Sequence, residues 1–204
     1  MIEFLFAQYK DYPYYLIALE LVAVVFGVIS VLFARKNNIL VYPTGLVSTI
    51  LYVYILYEFQ LYGDLIINFY YTIMSFLGWY LWAKTKDGND EFPISNINRK
   101  EILVSTLIFT ITLTFVALVY HFFDKFTNWT AYVDALTTGL FFVGMWLMAK
   151  RKIENWILWI IADAISIPLY FYKGLTFSSF QFILFTIIAI LGYKEWKRFL
   201  QKTI

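Results

Sequence analysis

Long apolar runs follow one another along almost the whole chain, and short polar stretches separate them. A helix needs about 20 mainly apolar residues to cross roughly 30 Å of hydrocarbon. Seven segments meet this requirement, at residues 14–34, 40–58, 65–83, 102–122, 131–149, 155–172 and 178–196. The pattern therefore predicts an all-α integral membrane protein with seven transmembrane helices.

Composition agrees with this interpretation. The chain is 61% hydrophobic and 15% charged, with a mean hydropathy of +0.68, whereas soluble domains are nearer one half apolar and about one quarter charged. The longest polar stretch, residues 83–100, is too short to form a soluble domain. We therefore expect one transmembrane domain over residues 1–204. The N-terminal segment has no basic start or small-residue cleavage site, so it does not read as a removable signal.

The basic residues predict an orientation. Of the 16 Lys and Arg residues, 13 follow predicted helices 1, 3, 5 or 7, and only Lys10, Lys125 and Lys173 lie at the opposite ends. Because cytoplasmic loops are enriched in Lys and Arg, we expect the N-terminus outside and the C-terminus in the cytoplasm. The net charge of +2 belongs to these loops and gives no reason to expect a nucleic-acid partner.

Two parts of the sequence match at a constant offset of 114 residues. "GWYLW" at 78–82 returns as "GYKEW" at 192–196, and "ARK" at 34–36 parallels "AKRK" at 149–152. This predicts two parallel three-helix repeats, 14–83 and 131–196, joined by a central helix at 102–122. Transporters built in this way bind substrate near the midplane between the repeats. Chance similarity between apolar helices is the alternative.

The sixth predicted helix carries a polar face with an acidic residue halfway along it. On a helical wheel at about 100° per residue, Asn155, Trp156, Trp159 and Asp163 share one side. Asp163 lies ~12 Å along the helix, where insertion of an Asp costs about 2.5–3.5 kcal/mol. A carboxylate beside two indoles suits a flat ligand that is cationic or hydrogen-bonding. The alternative is a protonated or internally paired Asp in a tight bundle.

Further polar candidates lie on three other predicted helices. Asn68 and Tyr71 share a line on the third helix, and Gln181 is at a similar depth in the seventh. Tyr52 lies at midplane depth in the second. Two amides on equivalent helices could bind one ligand from opposite sides, or they could form hydrogen bonds between helices.

Enzymatic motifs are missing from the sequence. It has no Cys and a single His, which excludes disulfides, Cys-ligated metals and sites built from several His residues. We find no zinc-protease, serine-hydrolase or phosphate-loop motif. We therefore expect neither an enzyme nor a cofactor or metal site. Transport would be passive, ion-coupled or drawn by metabolism.

Four segments distributed over residues 37–198 have a distinctive sequence, namely "NNILVYPTG", "LIINFYYTIMSFLGWYLW", "TAYVDALTTGLFFVGMWLMAKRKIENWILWIIADAISIPLYFYKG" and "GYKEWKR". They resemble the PnuC family of bacterial vitamin transporters. The resemblance implies a three-plus-one-plus-three fold similar to the SWEET sugar transporters, in the bacterial inner membrane. It implies facilitated diffusion of nicotinamide riboside, with a cytoplasmic kinase as functional partner that traps the product. A close branch, PnuT, carries thiamine.

The family's recognition motif is only partly present. The motif is Trp-x-x-x-Trp-x-x-x-Asn, and this chain has Asn155, Trp159 and Asp163 at that spacing, with Trp156 as a replacement for the first indole. An ionised Asp is acceptor-only, whereas Asn both donates and accepts. The Asp therefore suits an aminopyrimidine better. The resemblance nevertheless implies a small cationic vitamin or nucleoside-like substrate, with nicotinamide riboside ahead of thiamine because it is the family's usual substrate. A proton-coupled carrier of a neutral metabolite, a structural subunit without a ligand, and homo-oligomerisation stay open.

Overall fold

The computed structural model describes residues 13–59, 62–86, 89–122, 128–172 and 176–202, so Lys10, Lys125 and Lys173 lie outside it. Within these ranges the chain forms seven α-helices. They are α1 Tyr14–Arg35, α2 Val41–Glu58, α3 Tyr62–Ala83, α4 Arg99–Phe122, α5 Trp129–Ala149, α6 Glu154–Tyr172 and α7 Thr176–Lys202. The predicted all-helical architecture is confirmed. The largest difference is at α7, which continues past the predicted end at 196.

Not all the helices are equally apolar. In the described part of the chain, four helices are long and apolar enough to cross a membrane, namely α1, α4, α5 and α6. Tyrosines lower the hydropathy of α2, and tyrosines and tryptophans lower that of α3. Such residues are common where helices meet the membrane interface. That α2, α3 and α7 also cross the membrane stays a prediction.

The polar linker contains structure that the sequence did not predict. Two strands of two residues each, β1 Thr85–Lys86 and β2 Asn89–Asp90, pair antiparallel. Strands this short escape detection because hydrophobic alternation is recognisable only over about four to eight residues. Farther along, Asn98 and Glu101 cap the start of α4 reciprocally, each side chain accepting the other residue's backbone N–H at 3.0 Å.

The chain divides into two compact units, residues 1–92 and 93–204. In the first unit α1 packs on α2 and α2 packs on α3. In the second unit α4 packs on α5, α5 on α6 and α6 on α7. The predicted first repeat falls in the first unit, and the central helix and second repeat fall in the second.

The first unit contains an aromatic contact between the start of α2 and the end of α3. The ring of Tyr42 covers Gly78 so closely that any Cβ there would overlap it. The same ring meets Trp82 edge-on, with 5.1 Å between centroids and an interplanar angle of 89°. Tyr42 and Trp82 are both buried, so this contact stabilises the packing of α2 on α3.

The second unit repeats that contact 114 residues later. Trp156 covers Gly192, where a Cβ would lie 2.7 Å from the ring, and it meets Trp196 edge-on at 5.6 Å and 88°. The loops repeat as well, because Asn37 after α1 and Arg151 after α5 both have a φ of 51°. Equivalent contacts and backbone conformations at one offset support the predicted duplication.

Candidate functional site

The polar face of α6 is turned into the second unit. Asn155, Asp163 and Ser166 are at most 1% exposed. On the other side of the helix, Ile157 and Ile161 are 40% and 43% exposed. A charged residue halfway along an apolar helix is costly unless it faces the protein interior or a polar path, and Asp163 faces the interior.

Asp163 has a buried carboxyl group without a polar partner among the described residues. In the described ranges no hydrogen bond or ion pair involves it, although its side chain is 1% exposed. The Oγ atom of Ser166, one turn farther along α6, is also buried without a hydrogen-bond partner. A buried carboxyl group without a polar partner is destabilising, and a ligand-binding role for Asp163 stays a prediction.

An aromatic cluster lies in the same unit, formed by Phe141 on α5, Trp159 and Tyr170 on α6, and Phe182 on α7. The centroid distances are 5.3 Å from Phe141 to Trp159, 6.2 Å from Phe141 to Phe182 and 4.8 Å from Tyr170 to Phe182. All four rings are half-buried. Ring faces of this kind stack on flat heterocycles and attract cations. The ring of Trp159 packs over Gly144 on α5. A Cβ atom at position 144 would lie 3.3 Å from the Nε1 atom of Trp159.

The sequence analysis did not identify Phe141 or Phe182 as site residues. The 114-residue offset does distinguish Phe141, because the equivalent position in the first unit is a glycine. The positions equivalent to Phe141 and Trp159 in the first unit are Gly27 and Gly45. These small residues let α1 and α2 approach closely. A Cβ atom at Gly27 would lie 3.0 Å from the Oγ atom of Ser48, and a Cβ atom at Gly45 would lie 2.9 Å from the Oγ atom of Ser30. The second unit therefore has a pair of aromatic rings at the two positions where the first unit has glycines.

Two of the predicted α6 site residues serve the packing of the second unit. Trp156 is the ring that covers Gly192, and it lies outside the aromatic cluster. Asn155 sits in the first turn of α6, where its Nδ2 donates to the carbonyl of Lys152 and its Oδ1 is buried without a partner. Asn155 precedes Asp163 by about 12 Å along the helix. A role for either residue in ligand binding stays a prediction.

The remaining predicted site residues are half-buried and belong to different units. Asn68, Tyr71 and Tyr52 are in the first unit, and Gln181 is on α7 in the second. The carbonyl of Asn68 accepts a hydrogen bond from Thr72 Oγ1 at 2.9 Å. Their participation in a single site with Asp163 stays a prediction.

Comparisons with known proteins agree on one family. A family model described as nicotinamide mononucleotide transporter matches residues 17–198. The nicotinamide riboside transporter PnuC of Escherichia coli is 25% identical over 87% of this chain and 84% of its own length. The riboflavin/roseoflavin transporter RibM of Streptomyces davaonensis is 24% identical over 58% of this chain and 56% of its own.

The fold is also that of a solved relative. The crystal structure of the vitamin B3 transporter PnuC matches with a TM-score of 0.67 and 23% sequence identity, covering 98% of this chain and 90% of the other. At this identity the match shows the fold. Relatives named for different vitamins share the family, so the substrate has to be argued from this chain's own residues.

Proposed function

The chain belongs to the nicotinamide mononucleotide transporter family of membrane transporters, and we propose that it imports nicotinamide riboside by passive, ATP-independent uniport. The observation that carries this proposal is the buried carboxylate of Asp163, which has no polar partner in the described part of the chain. It lies on the helix that also supplies Trp159 to the aromatic cluster. The names of its relatives support the same vitamin class.

The chemistry of the substrate fits these groups. Nicotinamide riboside has a flat pyridinium ring with a fixed positive charge, which the face of an aromatic ring attracts. The carboxylate of Asp163, about one turn beyond Trp159 on the same helix, balances that charge where little water is present to do so. We propose Trp159 and Asp163 as the centre of the site. Around them we propose Asn155, Trp156, Gln181, Asn68, Tyr71 and Tyr52.

The direction of transport follows from trapping rather than from energy input. In our proposal a cytoplasmic kinase phosphorylates the imported substrate. The concentration of the unmodified substrate therefore stays lower inside than outside, and net transport is inward. The protein sits in the bacterial cytoplasmic membrane with all seven helices crossing it, the N-terminus outside and the basic C-terminus inside.

Thiamine is the second candidate, and Asp163 is the observation that favours it. The family motif has Asn at this position, and Asn can both donate to and accept from a carboxamide. A carboxylate only accepts, which suits the amino group of an aminopyrimidine. Thiamine also carries a positively charged ring, so the charge by itself does not separate the two vitamins.

Titration calorimetry on the purified protein with each vitamin tests the substrate. Binding of nicotinamide riboside alone supports the proposal, and binding of thiamine alone replaces it with the second candidate. Asp163→Ala and Trp159→Ala are expected to weaken binding by about tenfold or more, since each removes a contact to a charged ligand. Ile161→Leu, on the exposed side of α6, is the matched control. Unchanged binding in Asp163→Ala would refute the site.

Uptake into vesicles that lack a kinase tests the mechanism. In vesicles held at zero membrane potential, uniport predicts that the internal vitamin concentration stops at the external one and that a protonophore has no effect. Accumulation driven by an imposed pH gradient and abolished by the protonophore would show a proton-coupled carrier instead.

A further inference from the structure

A cavity of about 240 Å³ opens at the end of the second unit where α6 begins and α7 ends. We call it the end cavity. Ile157 and Leu200 supply apolar wall, and Glu154, Tyr193 and Lys197 supply polar groups. Asn96, from the segment that precedes α4, closes another side. None of these residues belongs to the aromatic cluster or to the face of Asp163.

The end cavity contains two opposite charges that are not paired with each other. Glu154 accepts the backbone N–H of Ile97 through Oε2 at 3.0 Å. The described residues include no ion pair between Glu154 and Lys197. Opposite charges that line one cavity without meeting provide separate positions for the two charges of a zwitterion.

The segment containing Asn96 is held firmly in place. Ser95 exchanges backbone hydrogen bonds with the loop between α5 and α6, to Arg151 and from Ile153, both at 3.1 Å. Lys152 Nζ adds a hydrogen bond to Ser95 Oγ at 2.9 Å and an ion pair with Glu101 at 3.1 Å. The wall that Asn96 contributes is therefore part of the folded unit.

The position of the cavity indicates what the zwitterion is attached to. The last turns of α7 are rich in Lys and Arg, as are helix ends at the level of lipid headgroups. From the cavity, Ile157 and Ile161 continue along one exposed side of α6 toward its middle. A ligand that fits both features has a zwitterionic head at the interface and an apolar chain lying along α6.

We propose that the end cavity binds a phospholipid whose headgroup combines a phosphodiester with a primary ammonium, the phosphatidylethanolamine class. Lys197 and the hydroxyl of Tyr193 bind the phosphate, and Glu154 binds the ammonium. One acyl chain lies against Ile157 and Ile161. The inference does not depend on which vitamin the protein carries.

The first unit lacks this combination of charges. At the 114-residue offset, Leu40 stands in the place of Glu154 and Ala83 in the place of Lys197. The charges are therefore not a requirement of the three-helix packing that the two units share, which favours a ligand-binding role for them.

Lipid binding to the detergent-purified full chain, measured by native mass spectrometry, tests the proposal. We expect phosphatidylethanolamine to bind about tenfold more tightly than phosphatidylglycerol, which lacks the ammonium. Lys197→Gln is expected to weaken binding of both lipids by about tenfold. Lys194→Gln, an exposed position on the same helix outside the cavity, is the control and is expected to have no effect.

Glu154→Gln is expected to remove the preference for phosphatidylethanolamine over phosphatidylglycerol. Because Glu154 also accepts a hydrogen bond from the backbone N–H of Ile97, its substitution can disturb the fold, and Lys197→Gln provides an independent test. Equal binding of both lipids to the unmodified protein would overturn the proposal. So would equal losses in Lys194→Gln and Lys197→Gln. Displacement of the lipid by soluble phosphoethanolamine at similar concentration would show that the ligand is a free zwitterion, which also overturns it.

Discussion

Replacing Asp163 with Leu is expected to stabilise the protein and to abolish its transport. The carboxylate is 1% exposed and has no hydrogen bond or ion pair among the described residues. At the centre of a membrane helix, Asp is less favourable than Leu by about 3–4 kcal/mol on insertion scales. The substitution removes that cost, and it also removes the charge proposed to bind the substrate.

Thermal unfolding in detergent and vitamin uptake in cells measure the two effects separately. The melting temperature of Asp163→Leu should rise, and that of Asp163→Asn, which keeps the shape of the side chain, should rise less. Uptake should be lost in Asp163→Leu, which leaves no polar group at this position. Ile161→Leu, which changes an exposed residue on the same helix, should leave both measurements unchanged.

The reasoning fails if Asp163→Leu unfolds at a lower temperature than the unmodified protein. That result would mean that the carboxylate stabilises the bundle through a hydrogen bond or ion pair formed in the membrane. Normal uptake in the variant would refute the binding role instead, whatever happens to the stability.

Three further substitutions test the packing of the units. Gly192→Ala should lower the free energy of unfolding by about 1–3 kcal/mol, because the Cβ of the alanine would lie 2.7 Å from the Trp156 ring. Denaturant titration measures this change, and an unchanged unfolding midpoint would contradict the contact. Lys152→Met should expose the segment before α4 to limited proteolysis, since it removes the ion pair with Glu101, whereas Lys100→Met at an exposed position should not. Asn37→Gly should raise the melting temperature slightly, because its φ of 51° suits glycine better; a decrease would mean that the Asn side chain matters more than the backbone.

The sequence predicted the helices well because a membrane leaves few alternatives. Each backbone N–H and C=O must be hydrogen-bonded within the hydrocarbon, so an apolar run of sufficient length forms a helix. For this reason the predicted segment 14–34 corresponds to Tyr14–Arg35, and 131–149 to Trp129–Ala149. The periodicity of α6 likewise identified the buried side of that helix, with Asp163 on it.

The sequence was less informative where a side chain's role depends on its neighbour. Trp156 and Trp159 lie on the same side of a helical wheel, so both were predicted to belong to the site. In the structure Trp156 packs on Gly192 and Trp196, whereas Trp159 crosses Gly144 and meets Phe141.

Only the tertiary structure decided which aromatic rings form a cluster and which polar groups have partners. Phe182 joins Phe141 and Tyr170 because α7 packs against α6, a long-range contact that helical periodicity within one segment does not contain. The same holds for the end cavity, which needs Asn96 from outside the predicted helices. The sequence determined where the helices are and which sides they bury, since those follow from local hydrophobicity. The packing of one helix on another determined the site.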